Sequence, residues 1–152
     1  MPPAPVSAGL LFVPPPALAR DELATIAVLS GECRNLVVAD VDHSAICAGT
    51  TANFAYRSRH SSFQFAAGNV VAVGFYGTDH DATGDESFIT VEKISLNAMK
   101  GAPSTQVEAS GKCSYTNPYA APSRIDCSAV SGGKTYSASF VSDGEPPAIK
   151  KM

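Results

Sequence analysis

Asp79, Asp81 and Thr83 stand at alternate positions with Gly84 next. That order opens an EF-hand calcium loop, which takes oxygen ligands at its first, third and fifth positions and a glycine at its sixth. The second half of the motif is missing. Thr90 stands where a bidentate glutamate is needed, and Glu86 takes the position that is normally apolar. A looser calcium site built from Asp79, Asp81, Asp85 and Glu86 is the metal candidate that remains. The simpler expectation is an acidic turn whose carboxylates face solvent.

Four cysteines are the next residues with chemistry to offer. Cys33 and Cys47 are separated by the same interval as Cys113 and Cys127, and each midpoint falls where a hairpin would turn: Asp40 in one case, Ala120 between two prolines in the other. Of the three possible connectivities, the spacing favours the two local pairs, Cys33–Cys47 and Cys113–Cys127. Zinc would ask for closely spaced Cys or His pairs, which the cysteines, His43, His60 and His80 do not make. Disulfides imply an oxidising compartment, so a secreted or periplasmic location is expected. Gly31, Cys33, Cys47 and Tyr56 also recur at one offset as Gly111, Cys113, Cys127 and Tyr136, a hint of duplication that the intervening residues do not support.

Other motifs fall short. Ser131-Gly-Gly-Lys-Thr135 ends like a phosphate-binding loop, but Ser128 stands where its first glycine belongs, and a strand precedes and follows it; a hairpin turn is expected. The serines include no Gly-x-Ser-x-Gly elbow, and no histidine has a neighbour that marks a triad. Asn117 is followed by proline, so no N-glycosylation acceptor is present. Arg57 and Arg59 flank Ser58 beside Tyr56 and Phe63, which reads as a solvated hairpin tip rather than a base-stacking patch. The basic residues are otherwise scattered and the net charge is -3, so nucleic acid is not an expected partner.

These residues need elements to hold them. The chain has 152 residues, one domain's length, with 45% hydrophobic and 16% charged residues. Few charged residues fall at helical spacing, and period-2 alternation dominates from Cys33 onward. Strands are expected over 33–40, 44–56, 61–66, 71–76, 87–96, 105–115, 124–130 and 135–141, with bulges at Gly49 and near Glu92-Lys93. Seven or eight antiparallel strands in meander order must fold over or close. The absence of Trp and only 8% aromatic residues favour a β-sandwich, with an up-and-down barrel as the alternative.

The first nineteen residues carry no charge and six of the eleven prolines. Val6–Val13 is apolar and Ala17-Leu18-Ala19 has the form of a signal-peptidase site, so residues 1–19 read as signal-like, with cleavage before Arg20, or as a disordered proline-rich arm. A third reading runs a helix from Pro16 to Ser30. Residues 20–147 form the expected all-β domain and 148–152 a short tail, with no segment long and apolar enough for a membrane-spanning helix. No cofactor cradle and no nucleophile with its base stand out, so the expected function is a non-enzymatic extracytoplasmic binding or structural module. Its partner would be a protein or a glycan; the protein version places an apolar patch around Phe54 and Tyr76. The alternatives are a barrel for a small apolar ligand and a hydrolase assembled from loops around a histidine.

Overall fold

A computed structural model describes residues 22–98, 104–117 and 122–152. The chain folds into strands β1 (Leu23–Val38), β2 (Val41–Asp42), β3 (Cys47–Tyr56), β4 (His60–Ala67), β5 (Val71–Thr83), β6 (Glu86–Ala98), β7 (Ser104–Thr116), β8 (Arg124–Ser131), β9 (Lys134–Ser142) and β10 (Ala148–Lys151). Every pairing is antiparallel, and from β3 to β9 each strand pairs with the next.

Closure depends on β1. Its first half, Leu23–Ser30, pairs with β3, and its second half, Gly31–Val37, pairs with β9. The ring β1-β3-β4-β5-β6-β7-β8-β9 is therefore an eight-stranded barrel, the alternative to the sandwich. β10 continues the edge begun by β9: after the interruption around Pro146-Pro147 it pairs with Thr25–Val28. Residues 148–151, expected as a tail, thus add to the ladder. Closure removes the edges that an open sheet leaves unpaired.

The aromatic content that argued against a barrel is concentrated inside it. Phe63, Phe65, Phe75 and Phe140 are wholly buried among Leu36, Ile89, Ile94 and Ile125. An eight-stranded barrel is just wide enough for side chains to fill. Few aromatics are needed when they converge on one axis, and the interior is a packed core rather than an open cup.

Local features follow from residue type. The Gly132-Gly133 turn has positive φ at both residues and joins β8 to β9 as a hairpin, as expected. Ala39 and Asp40 turn β1 into β2 with φ of 50° and 70°, an uncommon conformation for residues with a Cβ. Asp40 is held by Thr135, whose backbone N–H donates to its carboxylate at 2.8 Å. The bulge expected near Glu92 lies between Val91 and Lys93, and the β3–β4 register shifts between Cys47 and Thr51, around Gly49. At Gly77, a Cβ would sit 1.8 Å from the Thr90 carbonyl, so glycine is required where β5 and β6 change register.

Two expectations are corrected. Leu23–Ser30, included in the Pro16–Ser30 helix, is strand; the run is apolar on both faces, so its period is ambiguous. The acidic stretch is no loop, since β5 runs to Thr83 and β6 starts at Glu86, which leaves Gly84-Asp85 as the turn. The signal-peptidase-like site at Ala17–Ala19 and the turn midpoint Ala120 lie outside the described residues.

Both expected disulfides form. Cys113 and Cys127 face each other across the β7–β8 ladder with Cα atoms 3.9 Å apart. Cys33–Cys47, at 5.8 Å, spans the place where β1 has left β3 for β9. The two bridges are not equivalent. Nor are their companion tyrosines, since Tyr136 packs in the barrel core and Tyr56 in a separate outer cluster, which speaks against a structural repeat.

Candidate functional site

One mouth of the barrel gathers the ends of β3, β5 and β7 and the starts of β4, β6 and β8. There a shallow cleft of about 210 Å³ is lined by Arg59, Asp79, His80, Asp81, Ser87 and Tyr115. Asp79 lies opposite Ile89, and Ser87 opposite Tyr115, so these side chains share the face that continues downward as core. Tyr115 packs edge-on to Phe63, with ring centroids 5.0 Å apart, which fixes the phenol at the top of the packed interior.

The polar groups form a connected set. The Tyr115 hydroxyl donates to Asp79 Oδ1 at 2.6 Å, and the Asp79 N–H donates to the Arg59 carbonyl at 2.8 Å. The Arg59 guanidinium reaches Asp81 Oδ1 at 3.4 Å. Burial pushes the Asp79 carboxyl above the usual range, opposed by the Tyr115 hydrogen bond, the His80 amide and the charges of His80 and Arg59. On the outer wall, His80 stacks on Phe88 with centroids 4.3 Å apart, and Lys112 Nζ lies 4.7 Å from the same ring centre. His80 Nε2 is 2.9 Å from Thr90 Oγ1, so the rim histidine is held on two sides.

Of the four calcium candidates, Asp79 and Asp81 line the cleft and Asp85 and Glu86 do not. Asp79 faces the mouth against Tyr115, Asp81 pairs with Arg59, Glu86 lies 3.8 Å from Arg124, and Asp85 sits in the exposed turn. Among the described residues, no group of three or more His, Cys, Asp or Glu side chains is placed to hold a metal ion.

His60 has a Ser and a carboxylate near it, the feature a hydrolase would need. Ser58 Oγ is 2.8 Å from His60 Nδ1, and Glu92 Oε1 is 3.8 Å from Nε2. The second distance exceeds a hydrogen bond. The Glu92 carboxylate is engaged by Thr78, and the His60 ring stacks on Tyr76 at 5.1 Å. Ser58 lies on an exposed turn two residues from its histidine, outside the mouth cleft. His43 stands before the short 3-10 turn Ser44–Ile46 and belongs to neither group.

Arg59, Asp79, His80 and Asp81 were visible as chemical residues in the sequence, but Ser87 and Tyr115 were not. Tyr115 meets Asp79 across 36 positions and two ladders, a contact that only strand register creates. No protein-family model, no curated protein and no solved structure matches this chain.

Proposed function

We propose that this chain is a non-enzymatic, extracytoplasmic binding module whose barrel mouth recognises a polyhydroxyl group at the exposed end of a glycan. The observation that carries the reading is the cleft itself, where the carboxylates of Asp79 and Asp81 stand beside the Arg59 guanidinium and the Tyr115 phenol. A sugar hydroxyl donates one hydrogen bond and accepts others, so a vicinal pair asks for acceptors and donors side by side. Pockets for whole small molecules begin at about 300 Å³. At about 210 Å³ the cleft suits one ring or terminal group of a larger molecule. The packed interior argues against a small apolar ligand inside the barrel, and the two disulfides support action in an oxidising compartment.

Isothermal titration with methyl glycosides of neutral hexoses and N-acetylhexosamines tests the proposal. At least one should bind, and Tyr115→Phe, which removes one hydrogen-bonding group, should weaken it about tenfold. Absence of binding across that set, or equal affinity in Tyr115→Phe and Asp79→Asn, would overturn the proposal.

A further inference from the structure

The two disulfides close loops of equal length but sit in unlike surroundings. Cys113 and Cys127 face each other inside the β7–β8 ladder, between the pairs Lys112 with Ser128 and Ser114 with Asp126. Each is also paired on its other side, Cys113 with Ile89 of β6 and Cys127 with Ala138 of β9. They are 0% and 3% exposed and belong to the core. A thiol reagent reaches such a bridge only when several ladders open together.

Cys33–Cys47 is held differently. The β1–β3 ladder ends at Ser30 with Thr50, and carrying its register onward would set Cys33 opposite Cys47. Backbone pairing stops short of them, so the sulfurs hold a register that the hydrogen bonds have given up. Over 31–36, β1 keeps β9 on one side and has no ladder partner among the described residues on the other. Ala48 and Gly49 of β3 have no ladder partner among the described residues on either side, because β3 meets β4 at Cys47 with Ala67 and next at Thr51 with Phe65. Both Cys33 and Cys47 are partly exposed. The link from β2 to β3 has anchors of its own: the His43 N–H donates to the Leu36 carbonyl at 2.7 Å, and the Gly68 N–H to the Ile46 carbonyl at 2.8 Å. Loss of this bridge therefore frees the first residues of β3 without dismantling the ring.

We propose that Cys33–Cys47 is a site of reversible thiol–disulfide exchange with a dithiol, and that its redox state opens and shuts the β1–β3 seam while Cys113–Cys127 stays oxidised. One thiol of the dithiol, as its thiolate, attacks a sulfur of the bridge; the S–S bond breaks and the other cysteine leaves as a thiolate. The second thiol of the dithiol, also as its thiolate, attacks the mixed disulfide and releases the remaining cysteine. Two electrons pass from the dithiol to the bridge, its two protons end on Cys33 and Cys47, and it departs as a disulfide. Access selects the bridge, since exchange needs the attacking sulfur to reach its target. The inference is independent of the mouth.

The test treats the oxidised full chain with dithiothreitol under native conditions, quenches at intervals with excess N-ethylmaleimide, and locates the labelled cysteines by peptide mass. Label should enter Cys33 and Cys47 at least about tenfold faster than Cys113 and Cys127. In concentrated urea, where the fold no longer distinguishes two equal loops, the rates should converge. Hydrogen exchange of the half-reduced chain should rise around Cys47–Thr50 while β5 to β8 keep their protection, and oxidised glutathione should restore the bridge and the protection together. Equal native rates, faster reduction of Cys113–Cys127, selectivity that persists in urea, exchange that rises across the whole barrel, or a bridge that does not re-form would each overturn the proposal.

Discussion

Asp79 is the residue whose environment does most to set chemistry at the mouth. Its carboxyl is held above the usual range because burial disfavours the charged form more than Tyr115 and its other partners favour it. A folded-state pKa above the unfolded one contributes stability below the unfolded value, and that contribution is lost as pH rises through the folded value. Asn at this position does not titrate and still accepts the Tyr115 hydrogen bond. The Tm of the native chain minus that of Asp79→Asn should therefore fall from acid pH to neutrality. A difference that is flat or rises with pH would count against the assigned environment. Ala39 offers a second test. Its φ of 50° costs a residue with a Cβ about 1–2 kcal/mol, while glycine's added chain entropy returns part of that. Ala39→Gly should raise unfolding stability by up to about 1 kcal/mol, read from the urea midpoint.

At the scale of elements, the two disulfides span equal loops, so the chain-entropy model gives each roughly 3 kcal/mol. Their settings differ. Cys113–Cys127 lies within a continuous ladder, whereas Cys33–Cys47 ties β1 to β3 beyond their last paired residues. Replacing both members of either pair with Ala should cost a similar amount of global stability. Only the Cys33→Ala, Cys47→Ala variant should lose amide protection through Cys47–Thr50 in hydrogen exchange, and equal loss in both variants would mean that the seam needs no clasp. The cysteine pairs were legible in the sequence through their equal spacing, and the first midpoint, Asp40, lies in a turn. Most strands from Ser61 onward were legible through period-2 alternation, and the bulge at Glu92 through a change of phase; the end of β5 and β10 were not. The first half of β1 was not, because Ile26 and Val28 are as apolar as Ala27 and Leu29 and give no period to read.

At the scale of the molecule, the sandwich and the barrel share one strand list and differ in a single strand's second partner. No local pattern says that β1 will serve β3 and then β9; its length permits closure, and the match of Gly31–Val37 to the inner edge of β9 completes it. The mouth was hidden for the same reason. Asp79 and Tyr115 acquire their relation only when β5, β6 and β7 settle into register. The core of the closed barrel is filled, and at the mouth acceptors and donors stand side by side around a small cleft. The most direct measurement is a ¹H–¹⁵N correlation titration of the full chain with the same methyl glycosides at millimolar concentration. Saturable shifts at Arg59, Asp79, Asp81, Ser87 and Tyr115, absent in Tyr115→Phe, are expected; shifts confined to other faces, or none, would contradict a saccharide-binding mouth.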